Sequence, residues 1–134
     1  RLLKAGIVEE LFASVLAQVE AAGVVIKRGT LVDATIVQSA RKSPPKGGSG
    51  GRAAGDSEAS WAVKNGKPIA HGYKAHIAVD DGSEIVRAIS TTTGSVHDST
   101  PADRLIDQSQ AKAVYADAAY CATKRRKRLR AQGI

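Results

Sequence analysis

Methionine is absent from this sequence, cysteine occurs once, and one Trp, three Tyr and one Phe are its only aromatics. The lone Cys121 rules out an intrachain disulfide framework and suits a reducing cytosol. With so few large rings, a core has to be built from Val, Ile, Leu and Ala. No apolar run is long enough to span a bilayer and no signal peptide is visible, so no membrane partner and a cytoplasmic location are expected. The missing initiator methionine makes an interior piece of a longer chain the expectation. At 134 residues the chain fits one domain with a modest core.

Acidic residues are the next shortage. Thirteen Asp and Glu face twenty Lys and Arg, leaving a net charge of +7 and a pI near 9.8, a balance that favours nucleic acid as partner. The excess is concentrated. Six of the seven residues from Lys124 to Arg130 are basic, and four more basic residues lie between Arg41 and Arg52.

Hydrophobic periodicity outlines the elements. Ile7, Val8, Leu11, Phe12, Val15, Leu16 and Val19 form one helical stripe that Gly23 ends, so residues 1–28 read as a leading helical segment. Residues 30–37, TLVDATIV, are a β-branched run of the kind found in a central strand covered on both faces. From 39 to 60 the apolar pattern vanishes; Pro44-Pro45 and Gly47–Gly51 describe a flexible basic loop insertion. Asn65-Gly66 marks a turn. Residues 71–80 and 84–91 form a hairpin about Asp81-Gly82, with Tyr73, Ala75, Ile77 and Val79 on one face. Thr100 and Pro101 open a helix to about Gln108. Residues 112–118 form a short strand, and a basic helix spans about 122 to 131. Gly133 stops it, and Ile134 is available to start a further strand. This order predicts an α/β domain: a mixed sheet with flanking helices, the strands at 30–37 and 112–118 side by side in its centre.

Two acids interrupt these strands. Asp33 lies within Leu31-Val32-Asp33-Ala34, and Asp117 ends Val114-Tyr115-Ala116-Asp117. An ionised carboxylate is costly on a buried strand unless it is paired or binds a metal. On parallel neighbours the two would emerge together. Paired carboxylates suit Mg²⁺, and two such ions about 4 Å apart assist phosphoryl transfer. Each aspartate alone reads equally well as a strand-end or capping residue.

Four stretches occur together: Gly29-Thr30-Leu31-Val32-Asp33-Ala34-Thr35-Ile36-Val37; His71-Gly72-Tyr73-Lys74-Ala75-His76 with Val79-Asp80; Gly94-Ser95-Val96-His97-Asp98-Ser99; and Val114-Tyr115-Ala116-Asp117-Ala118-Ala119-Tyr120. In this order the chain resembles the DDE-type transposases of bacterial insertion sequences, in the insertion-sequence-five group. The resemblance implies a ribonuclease-H-like fold, truncated before the last strand and helix, over a partial domain spanning 1–134. It also implies Mg²⁺ or Mn²⁺ as cofactor, and Asp33 and Asp117 as catalytic, metal-binding acids. The reaction would be DNA strand cleavage and transfer, acting on double-stranded element ends and target, in a homo-oligomer. The third acid of the family, a helical glutamate, is not in this chain: every Glu precedes Asp117. The piece alone is therefore expected to be inactive. Two rivals remain at this point, an inactive remnant that only binds DNA and a related metal-dependent nuclease.

Other residues weigh less. Asp98 is the nearest substitute for the missing acid but reads better as part of a turn. His76 is expected on the solvent side of its strand, and His97 is expected to order its turn or meet a phosphate. Cys121 reads as an inert thiol and Trp61 as an anchor at the end of the loop. Lys124, Arg125, Arg126, Lys127, Arg128 and Arg130, with Lys74 of the second stretch, are the expected DNA contacts, giving affinity through phosphates without sequence information.

Overall fold

The computed structural model describes residues 5–41, 43, 56–109 and 112–134. Its elements are α1 (Ile7–Ala21), β1 (Thr30–Gln38), β2 (Ser60–Lys64), β3 (Lys67–Asp80), β4 (Val86–Thr93), α2 (Ala102–Ser109), β5 (Val114–Ala116), a 3-10 turn (Ala118–Tyr120) and α3 (Thr123–Ala131). Most of the expected basic loop, 44–55 together with Lys42, lies outside the described residues. At its far end Asp56 accepts hydrogen bonds from Ser39 Oγ and from the Tyr73 hydroxyl at 2.6 Å, which ties it to the residue after β1 and to β3.

β3 organises the sheet. One edge pairs antiparallel with all of β1, from Gly72↔Gln38 to Asp80↔Thr30. The other edge is shared, β2 pairing along Lys67–Gly72 and β4 along Tyr73–Val79. The handover falls at Gly72, where a Cβ would collide with the backbone from Val37 to Ser39 at the end of β1; only glycine permits that approach. Asn65 and Gly66, both at positive φ (52° and 74°), make the tight β2–β3 turn that the Asn-Gly pair predicts. β2 itself was not expected. Its five residues sit in a stretch assigned to loop and turn, too short for alternation to show.

β5 pairs parallel with β1 through Thr30↔Val114, Leu31↔Tyr115 and Val32↔Ala116. The sheet is therefore mixed, as expected, and β2 makes it five-stranded, but β5 is its edge rather than a central strand.

α2 and α3 pack on one face. Val32, Ala78, Ala88, Ala102, Leu105, Ile106, Tyr120 and Leu129 are buried together, with Ala34, Val114, Ala119 and Ile134 against them. The expectation that β1 is covered on both faces fails here. Thr30 and Val32 face the helices and are buried, while Leu31 and Val37 on the other face are exposed. Among the described residues no element covers that second face, where Leu31, Ile89 and Tyr115 are about half exposed.

The α1 stripe is also open: Ile7, Val8, Leu11, Phe12 and Val15 are exposed and no α1 residue is buried. The helix is tied down at its end, where Glu20 accepts from Lys27 at 2.9 Å and from buried Arg87 at 2.6 Å. Ile134 closes the end of α3. Its N–H reaches back to the Leu129 carbonyl at 2.9 Å while Gly133, at φ 78°, donates to Arg130, a glycine-dependent helix stop.

Candidate active site

The site lies where β1 outruns its parallel neighbour. Pairing stops at Val32↔Ala116, so Asp33 is the first β1 residue without a β5 partner and Asp117 the first residue beyond β5. Ligands of open α/β sheets gather at such carboxyl ends of parallel strands. Both aspartates are exposed, and both line one cavity of about 540 Å³ with Lys74, His97, Asp98 and Tyr120. The β2–β3 turn, through Lys64 and Asn65, forms another part of its wall.

Local bonds aim the two acids. Asp33 Oδ1 accepts from the N–H of Ala34 at 2.7 Å. Asp117 caps the 3-10 turn, its Oδ1 accepting from Ala119 N–H at 2.9 Å. Each keeps its second oxygen without a protein partner among the described residues. The spacing Asp117–Tyr120 is that of a single 3-10 turn, so Tyr120 folds back under the aspartate that caps it.

Tyr120 senses all the local carboxylates. Burial raises its pKa, and the negative charges of Asp98, Asp33 and Asp117 raise it further, which keeps the phenol protonated. His76 sits beside it, fully buried. Its Nδ1 is 3.3 Å from the Tyr120 hydroxyl and its Nε2 is 2.9 Å from Thr92 Oγ1. The expected solvent-side position was wrong, because His76 lies with Ala78 on the face that the helices cover. Burial lowers its pKa, Lys74 adds to the effect and Asp98 opposes it, so the ring is neutral near pH 7.

Asp98 is engaged by Lys74, whose Nζ donates to it at 2.7 Å and to the Val96 carbonyl at 2.9 Å. Lys74 thus reaches the cavity with its charge already paired, which distinguishes it from the open DNA contact expected. His97 does order its turn: its Nδ1 lies 2.9 Å from Ser99 Oγ and accepts from Ser99 N–H at 3.2 Å. Trp61 stands edge-on to His71, ring centroids 5.4 Å apart, and Cys121 is exposed.

The basic helix divides in two. Arg125 is 8% exposed and grips Asp103 with two nitrogens, at 2.8 and 2.9 Å, while donating to the carbonyls of Tyr120 and Ser99. It is buried and its charge is met by Asp103, unlike the exposed cations beside it. Arg128 donates to Asp107 and Asp103, so α2 supplies acids that sequence order places too far away to anticipate. Lys124, Arg126, Lys127 and Arg130 remain exposed.

The model of the transposase DDE domain family matches residues 26–134. The chain belongs to this family. The match takes in β1 to α3 and both aspartates, and leaves out α1. No solved structure matches the chain. The mixed sheet with helices on one face agrees with the ribonuclease-H-like fold of a DDE transposase domain. Transposases of this family act on DNA and generally use divalent metal ions. Among the described residues no three His, Cys, Asp or Glu side chains come together to hold a metal. No helix among the described residues is long and apolar enough to cross a membrane.

Proposed function

We propose that Asp33 and Asp117 hold Mg²⁺ or Mn²⁺ in a transposase that cleaves DNA and joins the cut end to a new site. One observation carries this reading: both acids stand at the same end of adjacent parallel strands and open into one cavity. Their donor chemistry fits, since hard divalent cations prefer carboxylate oxygens and retain several waters. When bound, the metal would activate an attacking oxygen and stabilise the leaving one. The chain's part is to orient. Backbone N–H groups hold one oxygen of each carboxylate, leaving the other for a cation. Asp98 is withdrawn from that task by Lys74. Every Glu of this sequence precedes Asp117, and none is assigned to the site.

Lys124, Arg126, Lys127 and Arg130, following directly on Asp117, are proposed to run along double-stranded DNA by phosphate contacts. Arg128 contributes to a lesser degree because Asp103 and Asp107 offset it. The insertion-sequence-five grouping, a multimeric assembly and a nucleoid location belong to this proposal too. The test is an assay of the transposase carrying this domain on a labelled element end with Mg²⁺ or Mn²⁺. Metal-dependent nicking followed by joined products is expected, and Asp33→Asn or Asp117→Asn should remove both. Cleavage without joining would make the protein a nuclease, and DNA binding with no metal-dependent chemistry would make it a binding remnant.

A further inference from the structure

A buried histidine needs a reason. His76 is fully enclosed on β3, in a place that an apolar side chain could fill without desolvating two ring nitrogens. Both nitrogens are engaged, one by Tyr120 and one by Thr92 of β4. A neutral imidazole has one donor and one acceptor nitrogen, so the relay Thr92–His76–Tyr120 is satisfied whichever way its protons run. It ties the middle of the sheet to the last residue of the 3-10 turn.

That turn has only three residues, capped at its start by Asp117. Its far end is held at three points of Tyr120. The ring packs in the core cluster, the carbonyl accepts from Arg125, and the hydroxyl meets His76. The first two fix where the turn lies, and the hydroxyl bond, farthest from the backbone, fixes how the ring is rotated. Since Asp117 Oδ1 is bound to the turn's own Ala119 N–H at 2.9 Å, any rocking of the turn swings the carboxylate.

We propose that His76 is a positioning residue for Asp117: its Nδ1 holds the Tyr120 hydroxyl and so fixes the turn that aims the Asp117 carboxylate into the cavity. The consequence for metal binding rests on the reading of Asp117 as a ligand; the positioning itself does not.

The two ring nitrogens can be tested separately. An Asn amide reaches about as far as Nδ1 and a Gln amide about as far as Nε2. His76→Asn therefore keeps a partner for Tyr120 and gives up Thr92, while His76→Gln does the reverse. Amide hydrogen exchange in the 134-residue chain is the readout. The informative protons are Ala119 N–H, bound to Asp117 Oδ1, and Tyr120 N–H, 3.1 Å from the Asp117 carbonyl oxygen. Loss of one hydrogen bond predicts exchange at these two amides roughly five- to tenfold faster in His76→Gln and in Tyr120→Phe. His76→Asn should stay near wild type, and the β1–β3 amides should hardly change in any of the three. Equal loosening by the Asn and Gln variants would overturn the proposal, and so would a uniform rise across the sheet, since His76 would then be only a core residue. Mn²⁺ titration of the same samples separates the two claims. If His76→Gln loosens the turn but leaves Mn²⁺ affinity unchanged, the positioning stands and Asp117 is not a metal ligand.

Discussion

Replacing Arg125 by lysine keeps the charge of α3 yet should unfold the domain more readily than any other conservative change in that helix. The guanidinium makes four hydrogen bonds, two to Asp103 and one each to the carbonyls of Tyr120 and Ser99, and only 8% of the residue is exposed. A lysine ammonium cannot reproduce that planar fork. Removing one partner of a fully buried pair costs about 3–5 kcal/mol, but the Asp103 side chain is 52% exposed and can turn to water, which lowers that share. Adding about 1 kcal/mol for each carbonyl left unpaired, the loss should come to about 3 kcal/mol. For a domain of this size that is a fall in melting temperature of about 10 °C. Urea unfolding followed by circular dichroism measures it, with Arg126→Lys on the exposed side as control, expected within about 0.5 kcal/mol of wild type. Equal stability of the two variants would refute the assignment of Arg125 as a brace and return it to the DNA-facing set.

Three further outcomes are expected. Neutralising Lys124, Arg126, Lys127 and Arg130 together should flatten the plot of log affinity for duplex DNA against log salt by about 0.9 for each residue that meets a phosphate; an unchanged slope would make this face merely solvated. Asp80 is fully buried, and although burial alone would raise its pKa, hydrogen bonds from Ser83, Ile26 and Lys27 and the charge of Arg87 hold it below the ordinary carboxylate value. Its stabilisation should therefore be complete above about pH 4 and disappear as the pH falls through the lower folded value, a dependence that Asp80→Asn should remove from acid-unfolding curves. Gly72→Ala should lower stability sharply in the same urea assay, because its methyl group would strike the β1 backbone; a neutral result would mean that β1 and β3 can separate there without cost.

Much of the frame was legible in the sequence because it is written in local patterns. The β-branched run of β1, the Asp81-Gly82 turn and the basic stretch of α3 all match where the structure puts those elements. Asp33 and Asp117 stood out as charges in or at the end of apolar strands, and those strands were expected side by side; their parallel pairing comes from the structure. What escaped was long-range. Asp103 and Asp107 sit one turn apart on α2, and nothing local says that they face Arg125 and Arg128 some twenty residues later. His76 shows the same limit: alternation put Tyr73, Ala75, Ile77 and Val79 on one face but could not say which face the helices would cover. They cover the other one, so the histidine is buried. β2 was missed because five residues beside a turn carry too little periodicity to register.

The central claim is that Asp33 and Asp117 form one cation site. Paramagnetic broadening by Mn²⁺ tests it without requiring catalysis. At low Mn²⁺ the amide signals of Ala34 and Ala119, the groups bonded to the two carboxylates, should broaden first and together, and Asp33→Asn or Asp117→Asn should each abolish the effect at both. Broadening confined to one aspartate, or centred elsewhere on the sheet, would contradict the account.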